Sequence, residues 1–311
     1  MQSYARIAVV GAGAVGGYFG GMLARASAPV VLIGRPAFVE AVRRRGLVLD
    51  AATFRETIAV DASTDLAAAR GAQLVLFCVK SGDTSTVARE LVSFVEPGTT
   101  VLSLQNGVDN ADRIREASGL AARSAVVYVA ASTPEPGLVK HMGRGDLVIG
   151  PPDPATERIA ATLEPAGVPC RITDNIRGEL WAKLVANCAL NAISALGRVP
   201  YGQIVASDEA RTLMLRVVDE VFAVARASGI VIPGMPDAEA AFNGALAIAR
   251  QMPEQRSSTA QDVERGRRTE IDALNGYVAR RAAELAVAAP LNHALWALVK
   301  LVEPPLPALS P

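Results

Sequence analysis

Along the first half of the chain, short apolar runs alternate with longer amphipathic stretches. The runs at residues 6–10 (RIAVV), 29–33 (PVVLI), 73–79 (QLVLFCV), 100–104 (TVLSL) and 125–130 (AVVYVA) are apolar almost without a break. Strands buried on both faces read this way, whereas half-exposed strands alternate. Helical spacing fills the gaps at 14–26, 36–45, 83–95 and 108–117. The alternation predicts an α/β fold, a doubly wound Rossmann-type domain with a parallel sheet. Residues 136–150 (PGLVKHMGRGDLVIG) predict a hairpin with glycine turns. After about residue 175 the strand signal vanishes. Helices are expected at 176–197, 207–229, 236–251, 259–288 and 291–302, so a helical C-terminal domain follows. The boundary is placed near Asp174, giving domains 1–174 and 175–311. The last residues, EPPLPALSP, read as a frayed end.

One helix departs from the usual pattern. Residues 180–196 (LWAKLVANCALNAISAL) are apolar nearly all round, with one polar stripe of Lys183, Asn187, Asn191 and Ser194. The spacing i, i+4, i+8, i+11 puts all four on one face. Successive members stand about 6 Å apart along the axis. Most of this helix must be buried, and buried polar groups need partners. Either a protein network or a polar ligand supplies them.

Gly11-Ala12-Gly13-Ala14-Val15-Gly16 follows the first strand and opens a helix. In a G-x-G-x-x-G turn the first glycine permits the bend, the second lets backbone approach a pyrophosphate, and the third lets helix and strand pack closely. The helix N-terminus then offers free N–H groups to phosphate. Gly17, Gly20 and Gly21 extend the small-residue face. The second strand ends at Ile33-Gly34-Arg35, without the acid that would accept a ribose 2′-hydroxyl. Arg35 can pair with a 2′-phosphate, so the expected cofactor is NADPH/NADP+ rather than NAD. The run Arg43, Arg44, Arg45 reads as a helix C-terminal charge cluster. Val79-Lys80-Ser81 and Gln105-Asn106-Gly107 follow two further strands, on the carboxyl edge where such folds bind ligands.

Composition narrows the classes. The 311 residues are 50% hydrophobic and 20% charged, with zero formal net charge. A nucleic-acid binder would carry a basic excess. Residues 7–24 (IAVVGAGAVGGYFGGMLA) carry no charge and imitate a membrane span or signal peptide. Their six glycines fit the nucleotide turn better, so no membrane association is expected. Cys78, Cys170 and Cys188 form no CxxC, which suits a reducing cytoplasm. His141 and His293 stand in no metal-ligand spacing, so no metal is expected. A homodimer is suggested by the apolar helical half.

A last segment runs Ser257-Ser258-Thr259-Ala260-Gln261-Asp262 and on through Gly266 to Glu270 and Asp272. Ser258 with Gln261 fits a capping box. Glu270 and Asp272, near Arg267 and Arg268, fit a salt-bridged helix surface. Five pieces in order now carry a resemblance: GAGAVG at 11–16, VKS at 79–81, LQNG at 104–107, WAKLVANCALN at 181–191, and SSTAQD…GRRTEID at 257–272. Over nearly its whole length the chain resembles the ketopantoate reductase (2-dehydropantoate 2-reductase) family.

The resemblance implies an NADPH-dependent reductase that delivers hydride to the C2 carbonyl of a branched 2-oxo acid. It implies Lys183 as general acid, with Glu270 beside it and at the cofactor. It implies Asn187, Asn191 and Ser258 as substrate-binding residues. Asn106 and Lys80 would lie near nicotinamide and substrate. Thr259 stands where the family often has methionine, which leaves the substrate open. A same-fold reductase of another 2-oxo acid, a β-hydroxyacid-dehydrogenase-like enzyme, and a non-catalytic NADP-binding sensor are the competing readings. Ser194 has no implied role.

Overall fold

The computed structural model describes residues 4–305. Its contacts divide the chain into two compact units, one ending at Ile176 and the other beginning at Arg177. In chain order the first holds β1 (Ile7–Val10), α1 (Ala14–Arg25), β2 (Val30–Ile33), α2 (Pro36–Arg45), β3 (Leu47–Asp50), β4 (Arg55–Ile58), β5 (Asp61–Ser63), β6 (Leu74–Phe77), α3 (Thr84–Leu91), β7 (Thr100–Ser103), α4 (Asn110–Ser118), β8 (Ala122–Ser132), β9 (Leu138–Ile149), α5 (Pro154–Leu163) and β10 (Cys170–Ile172). The strand order is β4-β3-β9-β8-β7-β6-β1-β2-β5, with β10 beside β9. From β5 to β8 every neighbouring pair is parallel. β1 is central, and the chain winds from it first toward β2 and β5, then crosses to β6 and β7.

The continuous apolar runs behave as expected: β1, β2 and β6 are buried at every residue. Alternate residues serve opposite faces. Ile7, Val9, Leu74 and Leu76 join α1 and α2 in one core. Ala8, Val10, Val75 and Phe77 join α3 and α4 in the other. Each fully buried large side chain contributes roughly 1.5–3 kcal/mol. The membrane-like segment 7–24 is therefore β1, a turn and α1.

Residues 136–150 do not fold back on themselves as a hairpin. They form one long strand, β9, antiparallel to β8, and the ladder skips Gly145 and Met142. The glycines that suggested turns lie at these irregularities, with φ of +155° at Gly143 and +135° at Gly145. A Cβ at Gly145 would stand 2.3 Å from the Tyr18 hydroxyl, so the close approach of α1 requires glycine there.

The second unit is helical, with no strand among its described residues: α6 (Ile176–Gly197), α7 (Tyr201–Ala206), α8 (Asp208–Ala227), α9 (Ala238–Gln251), α10 (Ser258–Glu264), α11 (Asn275–Glu284) and α12 (Pro290–Val302). The single helix expected over 259–288 is broken. α10 stops before Gly266, which sits at φ +60°, and a 3₁₀ turn over Ile271–Ala273 precedes α11. α6 is long and apolar enough to cross a bilayer, but two thirds of that window is buried within the protein. It is the core helix of its unit.

Candidate active site

The turn after β1 is built for an anion. The Gly11 and Ala12 N–H groups both donate to the Ile33 carbonyl at 2.9 Å, tying the loop to the end of β2. Gly11 has φ +99°, and a Cβ there would lie 2.6 Å from the Val79 nitrogen. At Gly16 a Cβ would meet the Gly11 carbonyl at 2.4 Å. Gly13 differs: a Cβ would meet nothing within 4 Å. The backbone is thus open on the side where α1 begins. α1 has no side-chain cap and no acid in its first turn. The N–H groups of Ala14, Val15 and Gly16 precede the helical ladder and carry the positive end of the dipole. A cradle of bare backbone with no competing carboxylate fits a dinucleotide pyrophosphate.

Because β1, β2, β6 and β7 run parallel, the segments after them share one edge. Arg35 leads out of β2 as the N-cap of α2, exposed, with no acid between Ile33 and Pro36. Its neighbours in the arginine run serve structure. Arg43 donates to the Ala62 carbonyl at 2.9 Å, and Arg45 reaches Glu135 and the Pro136 carbonyl.

The loops carrying Lys80 and Asn106 are latched together by a buried chain of hydrogen bonds. Ser103 Oγ donates to Gln105 Oε1 at 2.8 Å. Gln105 Nε2 donates to the Val79 carbonyl at 3.0 Å and to Thr84 Oγ1 at 2.7 Å. Thr84 Oγ1 donates to Asn110 Oδ1 at 3.2 Å. Asn110 Nδ2 and Ser81 Oγ both donate to the Asn106 carbonyl, at 2.7 and 2.9 Å. Ser81, Thr84, Ser103, Gln105 and Asn110 are all buried. Thr84 and Asn110 carry no signal in the sequence, and Gln105 stands out only as part of the Gln105-Asn106-Gly107 loop, without a role. Each is an ordinary loop or helix-start residue until β6 and β7 are paired.

In the second unit the stripe on α6 divides in two. Lys183 and Asn187 are half-buried, while Asn191 is 3% exposed and Ser194 is fully buried. The lower half is occupied by protein. Tyr201 Oη donates to Asn191 Oδ1 at 3.4 Å, and burial pushes the Tyr201 hydroxyl up to about 12. Ser194 Oγ donates to the Val199 carbonyl at 2.8 Å and accepts from the Ser257 N–H at 3.2 Å. Ser257 Oγ donates in turn to the Asn191 carbonyl at 3.0 Å. So Ser194, left without a role by the sequence, docks the start of α10 on α6. On α6 itself, Cys188 is fully buried, and burial raises its thiol out of nucleophile range.

The capping assignment in this segment is corrected. Ser257, not Ser258, is the N-cap of α10, accepting from the Ala260 N–H at 3.0 Å. Ser258 is the first helical residue and exposed, which leaves its hydroxyl outside the cap. Thr259 is 1% exposed. The Asp272 carboxylate is held by α12 rather than by Arg267 or Arg268. Asp272 accepts from Trp296 Nε1 at 2.7 Å and Lys300 Nζ at 2.9 Å, both on α12. Glu270 is half-buried and begins the 3₁₀ turn, its carbonyl accepting from the Ala273 N–H at 2.9 Å. Among the described residues no group of His, Cys, Asp or Glu could hold a metal ion.

Comparison with known proteins supplies a context for this arrangement. Residues 7–154 match the family described as ketopantoate reductase PanE/ApbA, and residues 175–303 match its C-terminal counterpart. A 2-dehydropantoate 2-reductase of Pyrococcus horikoshii is 35% identical over 302 residues, covering 96% of this chain and 97% of the relative. A PanE/ApbA family ketopantoate reductase from Ralstonia eutropha JMP134 superposes with a TM-score of 0.90 at 48% identity, covering 96% and 98% of the two chains. A D-mandelate dehydrogenase solved with NADH and anilino(oxo)acetate shares the fold, with a TM-score of 0.88 at 23% identity over 96% and 97%.

Proposed function

The chain belongs to the ketopantoate reductase PanE/ApbA family and is an oxidoreductase of the 2-dehydropantoate 2-reductase type, and on that premise we propose that it reduces 2-dehydropantoate to pantoate with NADPH, using Lys183 as the general acid. One observation carries the reading. α6, a helix otherwise apolar and largely buried, carries Lys183 and Asn187 one turn apart and half-buried, on the same face as the buried Asn191 and Ser194.

NADPH, when bound, supplies the hydride, so the protein contributes binding, orientation and the proton. The bare-backbone turn and the first-turn N–H groups of α1 would hold the pyrophosphate, and Arg35 the 2′-phosphate. Lys183 donates a proton from Nζ to the C2 oxygen of the substrate and offsets its developing negative charge. A carboxylate near that ammonium, the role given to Glu270, favours its charged form. Asn187 both donates and accepts, which suits a hydroxy-acid. Asn106 and Lys80, held at a set spacing by the latch, serve the nicotinamide and carboxylate ends. Ser258 serves the substrate hydroxyl.

A second reading, reduction of a different 2-oxo acid, is favoured by Asn191. Its amide oxygen accepts from Tyr201 and its side chain is closed off from solvent. Beyond that bond, one lone pair of the oxygen and the Nδ2 hydrogens remain to offer, so α6 presents a narrower polar contact than the full stripe implies. The deciding experiment is NADPH oxidation against a panel of aliphatic and aromatic 2-oxo acids. A kcat/KM for 2-dehydropantoate above every other acid supports the first reading. A superior aromatic or unbranched acid supports the second, and silence across the panel defeats both. A homodimer belongs to the same proposal, supported by the exposed Leu298, Leu301 and Val302 on α12. Sedimentation that returns a monomer at assay concentrations would remove it.

A further inference from the structure

The segment Arg268–Asp272 runs from an irregular stretch into the 3₁₀ turn, and it is anchored by Trp296 and Lys300 on α12 and by Glu303 at the C-cap of that helix. Glu303, whose side chain is 2% exposed, accepts at Oε1 from the Thr269 N–H at 2.9 Å and from Thr269 Oγ1 at 2.5 Å. Its Oε2 pairs with Lys300 Nζ at 2.8 Å and lies 3.6 Å from the Arg268 guanidinium. Lys300 Nζ also reaches Asp272 Oδ2, and Trp296 Nε1 holds Asp272 Oδ1. Within the segment, Thr269 Oγ1 accepts from the Ile271 N–H at 3.1 Å, and the Asp272 carbonyl accepts from Arg280 at 2.8 Å. Burial alone would raise the Glu303 carboxyl, but the bonds from Lys300 and Thr269 more than offset it and leave it below the usual carboxylate range.

Residues on both sides of Glu270 are therefore pinned, and Glu270 stands between the pins. The two anchors share one cation, because Lys300 bridges Glu303 and Asp272. A clamp with a shared central charge fixes the intervening residue more tightly than two independent contacts. We infer that Glu303 is a positioning residue for Glu270: the carboxylate at the end of α12 sets where the Glu270 carboxylate is presented, without itself touching substrate or cofactor. The inference rests on the proposed role of Glu270 in the reductase site. A nearly inaccessible acid at the end of α12 thus gives one oxygen to Thr269, 34 residues away in sequence, and the other to the lysine that also holds Asp272.

Two measurements on the full-length enzyme test it. In hydrogen exchange, Glu303→Ala should speed exchange at the Thr269 and Ile271 amides by at least about tenfold, while α6 keeps its protection. In kinetics, Glu303→Ala should lower kcat/KM on the order of tenfold, as small misplacements of catalytic groups do. The same change made in a Glu270→Ala background should cost almost nothing further, and Glu303→Gln, which keeps an acceptor for Thr269, should restore most of the loss. Equal losses in both backgrounds, or unaltered exchange at Thr269, would overturn the inference. If Glu270→Ala is itself fully active, the proposed role of Glu270 fails, and with it the positioning claim. If only the exchange result is positive, Glu303 holds the segment for stability alone.

Discussion

Gln105→Leu isolates the latch between the two cofactor-edge loops. The substitution keeps approximate volume and apolar packing but removes one acceptor and two donated hydrogen bonds. The Ser103 hydroxyl, at 3% exposure, and the Val79 carbonyl lose their partners. Thr84 Oγ1 keeps its bond to Asn110. Ser103 is buried and Val79 half-buried; leaving both groups unpaired, at about 1–3 kcal/mol each, gives a loss of about 2–6 kcal/mol in unfolding free energy. Urea unfolding, followed by far-UV circular dichroism at constant m-value, reads this directly. Because the latch sets the spacing of Lys80 and Asn106, kcat/KM should fall at least tenfold even where the protein is fully folded. Thr84→Val is the graded control, removing the two bonds at Thr84 Oγ1 while Gln105 keeps Ser103 and Val79, and costing less. A destabilisation under 1 kcal/mol would show that the network is not worth what its geometry implies. A full destabilisation with unchanged kcat/KM would show that it supports the fold but not the site.

Lys183→Ala should lower kcat by about 10² to 10⁴ while NADPH still binds, measured by fluorescence titration; near-normal turnover would end its role as acid. Arg35→Ala should weaken NADPH far more than NADH, and equal weakening would remove the 2′-phosphate contact. Gly13→Ala and Gly16→Ala should split cleanly. The first, with open space around its Cβ, should leave the melting temperature near wild type and weaken NADPH, whereas the second, facing the Gly11 carbonyl, should destabilise the fold outright. In acid, the depressed carboxyls of Asp272 and Glu303 contribute stability that is present above their unfolded pKa and lost as pH falls through the lower folded one. Unfolding free energy should therefore decline below roughly pH 4, and Asp272→Asn with Glu303→Gln should flatten that decline in a pH series of denaturation curves.

The central sheet was legible because parallel strands covered on both faces are apolar at every position. β3, β4, β5 and β10 are little shorter than the strands that were legible, but they lack the continuous apolar run: RETI and DAS carry no strand pattern, and neither β3 nor β10 is buried at every residue. α5 did leave a sign: Asp153-Pro154 with Thr156 makes a full capping box. At the site, the stripe on α6 was visible as spacing, but its division was not. Whether Asn191 faces ligand or protein depends on Tyr201, and which serine caps α10 depends on Ser194, 63 residues away. The break in the helix expected over 259–288 has the same origin. Glycine at 266 permits it, but the turn around Glu270 is tied down by Lys300 and Glu303, contacts 28 and 34 residues apart that local pattern cannot see.

The stripe on α6 has a second effect, felt before the protein is folded. As this helix leaves the ribosome, its length and apolarity match those of a segment that insertion machinery would accept. A lysine deep in such a segment opposes insertion by roughly 2.5–3.5 kcal/mol, and the two asparagines add to that cost. Beyond the roles proposed for them, Lys183, Asn187 and Asn191 therefore raise the cost of inserting α6 into a bilayer. Replacing them with leucine to stabilise the core would also remove the barrier that keeps a nascent chain out of the lipid.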